Sequence, residues 1–248
     1  MHTPLSYLAD ETRAATGRLL FDPVVSLDPS RLAAARYHGD QAAAPGMLDF
    51  AVNVRHDHPP AWLTQRLAAR LPDLARYPSG DDEATARDAV AARHGRSSDE
   101  VVLLGGATEG FALLSNLRPA QIAVIAPSFT EPEAVLTAAG IPVHHVVLRP
   151  PFGLAGAEVP DDADLVVIGN PTNPTSVLHC REHILALRRP GRILVVDEAF
   201  ADSVPGEPES LAGYRLPDVL VLRSLTKTCR WPGCGWAMRL AHRMCWPG

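Results

Sequence analysis

Arg192-Ile193-Leu194-Val195-Val196-Asp197-Glu198-Ala199-Phe200 is the stretch that decides the fold. Its apolar run has no alternation, so it reads as a short strand over 192–197 that is buried on both faces. Such a strand belongs to a parallel sheet with helices on either side. The same pattern recurs outward from it. Upstream, strands are expected at 101–104, 121–126, 142–148 and 165–169; downstream, one is expected at 219–223. Helical patterns separate them at 108–117, at 131–139 before Gly140, and at 181–188. Further upstream, 81–94 reads as a helix ended by Gly95. Pro59-Pro60 opens an amphipathic helix with Trp62, Leu63, Leu67, Leu71 and Leu74 on one face. Asp28-Pro29-Ser30 suggests the start of a short helix over 31–37. The expected class is α/β, a three-layer α/β/α sandwich around a mostly parallel sheet.

In such sheets the ligand sits at the carboxyl ends of the strands. The loops there are Gly105-Gly106-Ala107-Thr108, 127–132, 170–176, 197–200 and 224–227. Five polar or aromatic clusters on one rim form the expected site.

Composition narrows the chemistry. Of 23 basic residues in 248, 22 are arginine and one, Lys227, is lysine. Arginine stays protonated, whereas lysine can lose its proton and condense with a carbonyl. A net charge of −5 argues against a nucleic-acid partner. No run approaches the ~18 apolar residues that span a membrane, and no signal peptide opens the chain. A soluble cytoplasmic protein with a small-molecule substrate is the expectation. The Cys229/Cys234 spacing and the group His179, Cys180 and His183 fit no zinc pattern, so no metal is expected, and the latter group reads as surface helix residues.

The rim motifs are weak one by one. Asp197 ends a buried strand, where a carboxylate needs a cation or hydrogen bonds. Gly105-Gly106-Ala107-Thr108-Glu109 lets backbone N–H groups reach an anion, without the spacing of a dinucleotide fingerprint. Asn170-Pro171-Thr172-Asn173-Pro174-Thr175 stiffens a loop presenting two carboxamides. Ser224-Leu225-Thr226-Lys227 flanks the one amine with hydroxyls.

Together and in this order, the motifs from about 49 to 227 resemble the class I/II aminotransferase superfamily, the fold-type I pyridoxal 5'-phosphate enzymes. The resemblance implies that Lys227 is the Schiff-base lysine and that Asp197 pairs with the ring nitrogen. It makes Asn173 the partner of the ring hydroxyl and Phe129 the residue stacked on the ring. Ala107, Thr108, Ser224 and Thr226 match the phosphate cup. Tyr77, in Arg76-Tyr77-Pro78, matches a tyrosine that reaches the cofactor phosphate of the other subunit, which implies a homodimer. Asn53, in Leu48-Asp49-Phe50-Ala51-Val52-Asn53-Val54, matches a substrate-side residue. The branch it resembles holds histidinol-phosphate aminotransferase and the threonine-phosphate decarboxylase of cobalamin synthesis. Phe200, where the aminotransferase usually has tyrosine, leans to the decarboxylase, and leaves Asn173 alone to contact the ring hydroxyl. Ser176 stands where the family has glycine, and Arg55-His56-Asp57 departs from its usual neighbourhood.

The resemblance divides the chain into an N-terminal arm with part of a small domain (1–48), a cofactor-binding large domain (49–228) and a tail (229–248). Three of four cysteines and three of four tryptophans lie in that tail. Back-translated and read two bases later from Arg230, the tail permits the family's Leu-Ala-Gly-Leu-Arg-Val-Gly-Tyr. Two of those residues are forced: the codons of Trp231 and Pro232 give the alanine, those of Trp236 and Ala237 the glycine. The expectation is an off-frame tail, a missing C-terminal small domain and a chain without turnover, or else a non-catalytic remnant. A clean reading frame in the gene would sink the first idea.

Overall fold

The computed structural model describes residues 58–229 except 78, positions 44, 46, 48, 53 and 54, and the strand at 237–240. The helix expected at 31–37 lies outside the described residues.

Helices α1 (Ala61–Arg70) and α2 (Gly80–His94) lead into β1 (Val101–Leu104). There follow α3 (Ala107–Leu113), β2 (Ile122–Ala126), α4 (Glu131–Ala138), β3 (Val143–Val147), β4 (Leu165–Gly169) and α5 (Arg181–Leu185). The chain then forms β5 (Ile193–Asp197), β6 (Val219–Ser224), the single turn α6 (Thr226–Cys229) and β7 (Ala237–Leu240). The sheet order is β1-β7-β6-β5-β4-β2-β3. Strands β3, β2, β4, β5 and β6 are parallel, and β7 runs antiparallel to both β6 and β1. The α/β architecture is as expected from the unalternated apolar runs.

Those runs are unalternated because both faces are covered. Ala123, Ile125, Val166, Ile168, Leu194, Val196, Val219 and Val221 pack on one side, with Ala91 of α2 and Ile184 of α5. The residues between them (Ile122, Val124, Leu165, Val167, Val195, Leu220 and Leu222) pack on the other, with Phe111 of α3 and Leu136 of α4. Helix α3 lies close to the sheet at Gly110, where a Cβ would stand 3.0 Å from the Leu222 side chain.

Two local expectations change. The α1 helix stops at Arg70 and tightens into a 3-10 turn over Leu71–Ala75, with Pro72 in its first turn. Proline has no N–H for the helical ladder and its ring crowds the preceding turn. The face bearing Trp62, Leu71 and Leu74 is 59–79% exposed, and no α1 residue is buried. Strand β7 is an addition, sitting inside the stretch read as a tail; its short Ala-Met-Arg-Leu run carries little strand signal of its own.

Candidate active site

The order β3-β2-β4 reverses the winding of the chain, which opens a crevice at the carboxyl ends. Loops after β1, β2, β4, β5 and β6 converge there on a cavity of about 320 Å³. Ala107, Thr108, Phe129, Asn173, Asp197, Phe200, Ser224, Thr226 and Lys227 all line it. Gly105, Gly106, Ser128, Gly169, Pro171 and Ala199 complete the wall. Ser128 and Ala199 carried no separate signal, because they contribute through their place next to Phe129 and Phe200. Two expected site residues are elsewhere among the described residues. Tyr77 is 98% exposed and Asn53 is exposed, and neither lines the cavity.

Asp197 is set by register. It is the last residue of β5, opposite Gly169 on β4 and Leu222 on β6. One carboxylate oxygen accepts from the Ala199 N–H at 3.0 Å. Burial raises its pKa to about 6, against the opposing pull of that hydrogen bond and of the Lys227 charge. Lys227 lies in the single turn α6, its Nζ 5.2 Å from the centre of the Phe200 ring. Phe200 therefore takes a position against the ammonium group, a favourable cation–π contact. The β1–α3 turn needs Gly106, whose φ of 127° is closed to side-chain-bearing residues. Glu109 folds back to accept from the Gly105 N–H. The Ser224 hydroxyl accepts from the Thr226 N–H at 3.3 Å, tying the two hydroxyl residues together.

The loop after β4 corrects the sequence reading. Only Asn173 presents its carboxamide to the cavity. Asn170 is 2% exposed and turns inward: its Oδ1 accepts from the His179 N–H at 2.8 Å, and its Nδ2 donates to the His179 carbonyl at 3.2 Å. His179, expected on a helix surface, is 4% exposed and precedes α5. Nothing in its local sequence announces this, since the contacts come from residues seven and nine positions away. Ser176 has φ +58°, the left-handed region, which accounts for the glycine that the family places there.

Behind the rim lies a second buried set. The Arg223 guanidinium is 3.0 Å from Glu198, 3.0 Å from Asp202 and 2.7 Å from Glu207. Glu198 also accepts from the Ser210 hydroxyl and the Leu211 N–H, both at 2.6 Å. Burial opposes the charge on Arg223, but the Glu207 hydrogen bond and the Asp202 and Glu198 charges outweigh it, so its pKa is raised. Successive strand residues face opposite ways. Glu198 and Arg223 thus brace from behind the ends that present Asp197 and Ser224 in front.

Fold and site together define an α/β protein with a small-molecule cavity built around one amine, one buried carboxylate and a cluster of hydroxyls. The chain belongs to the class I and II aminotransferase family, whose pattern matches residues 45–242. It is 73% identical over 213 residues to a histidinol-phosphate aminotransferase of Mycobacterium tuberculosis, covering 86% of this chain and 58% of that protein. It thus spans less than two thirds of the length of that relative. Its fold is similar to L-threonine-O-3-phosphate decarboxylase from Porphyromonas gingivalis, with TM-score 0.71, 22% identity, and coverage of 80% of this chain and 61% of that one. It is also similar to a histidinol-phosphate aminotransferase from Sinorhizobium meliloti solved with pyridoxal 5'-phosphate, with TM-score 0.71, 20% identity, and coverage of 92% and 64%.

Proposed function

We propose that this chain is the cofactor-binding part of a pyridoxal 5'-phosphate enzyme that acts on a phosphorylated amino acid or amino alcohol. The observation that carries the reading is the gathering of Lys227, Asp197 and Asn173 with Thr108, Ser224 and Thr226 around one cavity. The donor set fits the cofactor. Burial has made Asp197 a poor resting place for a lone negative charge, and a protonated pyridine nitrogen would restore its ionised form. The three hydroxyls and the Ala107 backbone suit a phosphate, and Phe129 offers a ring face. When bound, the cofactor supplies an aldehyde for an amine to condense with and a protonated ring that accepts electrons from the substrate carbon.

The residues of the chain do the rest. Asp197 would hold a proton on the ring nitrogen. Asn173 would offer its amide N–H to the ring hydroxyl. Lys227 would provide the amine and a group able to carry a proton to and from the substrate carbon. Phe129 would cover a ring face, and Phe200 packs beside the Lys227 amine.

The relative at 73% identity supports amino transfer from histidinol phosphate as the first reading. Phe200 supports decarboxylation of threonine phosphate as the second. The bond broken depends on how the substrate is held. A homodimer, with Tyr77 reaching the neighbouring cavity, belongs to the same proposal, and its support is the outward placing of that side chain.

Borohydride reduction with pyridoxal phosphate should add one pyridoxyl phosphate mass to the peptide bearing Lys227, and none in Lys227→Ala. A wild-type chain that takes up no label would instead be a non-catalytic member of the family. With histidinol phosphate or threonine phosphate supplied, amino transfer to a keto acid supports the first reading and carbon dioxide release the second.

A further inference from the structure

The loop between β4 and α5 is closed by a residue that the proposed chemistry does not use. Thr172 is 6% exposed, and its hydroxyl donates to the Gly169 carbonyl at 2.7 Å. The same oxygen lies 3.1 Å from His179 Nε2. With its one proton committed to Gly169, the hydroxyl is an acceptor toward the imidazole, so Nε2 carries the hydrogen. Burial, with a smaller contribution from His183, lowers the pKa of His179 and so favours the neutral ring, for which the Nε2–H tautomer makes this bond.

The backbone closes the same ring of contacts. The Thr172 N–H donates to the Val177 carbonyl at 2.9 Å, and the Ser176 N–H donates to the Thr172 carbonyl at 2.7 Å. The Asn170 N–H donates to the Asp197 carbonyl at 2.8 Å, so the loop is rooted on the strand end that carries the buried carboxylate. Thr172 is thereby held at its N–H, its carbonyl and its hydroxyl. Asn173 is the next residue, and it faces the cavity.

We propose that His179 is a positioning residue: through its Nε2–H bond to Thr172 it fixes the direction in which Asn173 faces the cofactor. The assignment rests on the pyridoxal phosphate reading for its consequence, although the clamp itself is a property of the ligand-free chain. An imidazole suits the task because it spans from the end of the loop to its start with one donor and fills the buried space behind. The substitution His179→Gln is not equivalent in packing, but it places an amide donor at similar reach, whereas phenylalanine fills the space and donates nothing.

The test uses the full chain as His179→Gln, His179→Phe, Asn173→Ala and the double variant His179→Phe/Asn173→Ala. In the ligand-free protein, amide exchange at Thr172 and Ser176 should quicken by about tenfold in His179→Phe, the equivalent of one lost buried hydrogen bond, and return toward wild type in His179→Gln. Pyridoxal phosphate affinity, measured by fluorescence titration, should fall by about tenfold in His179→Phe, and by no further amount when Asn173 is already alanine. A residue that only stabilised the fold would weaken binding equally in both backgrounds, and that result overturns the assignment. So does unchanged exchange in His179→Phe. Thr172→Val, which removes the shared hydroxyl, gives the same test should His179→Phe not fold. A wild-type chain that binds no pyridoxal phosphate overturns the functional reading and this assignment with it; binding that His179→Phe leaves intact overturns the assignment alone.

Discussion

Asp197 stores a measurable penalty in the ligand-free protein. Its pKa is raised from 3.8 to about 6 by burial, so the folded state holds the proton more tightly than the unfolded chain. Its contribution to stability is therefore full below pH 3.8 and is lost as pH rises through 6. At 1.36 kcal/mol per unit, the ionised side chain costs about 2–3 kcal/mol at neutral pH. Asp197→Asn mimics the protonated form. Denaturant melts should show the two proteins alike near pH 4 and the variant more stable by about that amount above pH 7. Cofactor affinity should move the other way. Ser176 carries a smaller penalty in its left-handed backbone. Ser176→Gly should raise stability by about 0.5–1 kcal/mol, the left-handed cost less the extra freedom of glycine when unfolded. At this scale the lining of the candidate cavity was largely legible, because a single lysine in an arginine-rich chain and a carboxylate at the end of an apolar run are both visible in one dimension. The inward turn of Asn170 and the burial of His179 were not, since each depends on a loop folding back on itself.

At the scale of elements, the ends of β5 and β6 are joined by the Arg223 cluster. The two sides of that cluster are not equivalent. Arg223→Leu would leave the buried Glu198 without a cation, while Asp202 and Glu207 keep Arg93 at 3.1 and 2.9 Å, and should cost about 3–5 kcal/mol. Glu198→Gln leaves Arg223 with two carboxylates and keeps one acceptor oxygen for the Leu211 N–H, while its NH2 replaces the oxygen that faces Ser210 and Arg223, so its cost should be about 1–3 kcal/mol. Thermal or denaturant unfolding of the two variants checks the order; equal losses would mean that the brace is carried by the Glu198 pair alone. The strands of the parallel core were legible to within one residue or two at each end, since burial on both faces leaves an unbroken apolar run. Helix ends were less so: α1 and α5 stop earlier than their apolar pattern, α1 where Pro72 interrupts the ladder. Strand β7 escaped because it owes its place to pairing with β1 and β6 rather than to its own residues.

At the scale of the whole molecule, the segment before α2 is what the sandwich does not explain. Trp62, Leu71, Leu74 and Tyr77 are 59%, 61%, 79% and 98% exposed. The expected amphipathic helix is present over Ala61–Arg70, but none of its residues is buried. Four large apolar or aromatic side chains within sixteen residues form the kind of patch that a second subunit covers. The proposed homodimer would cover them, and would place the exposed Tyr77 within reach of the neighbouring cavity. Sedimentation equilibrium should then report twice the 26.6 kDa chain mass. Leu74→Asp places a charge in the contact and should shift the chain to monomer, with a melting temperature that no longer rises with protein concentration; Leu74 is 79% exposed in the single chain. Tyr77→Phe should leave the dimer intact and weaken pyridoxal phosphate binding by about 1 kcal/mol, the worth of one hydroxyl hydrogen bond to a phosphate. A Leu74→Asp chain that stays dimeric would place the subunit contact elsewhere, and a Tyr77→Phe chain with unchanged affinity would remove Tyr77 from the neighbouring site.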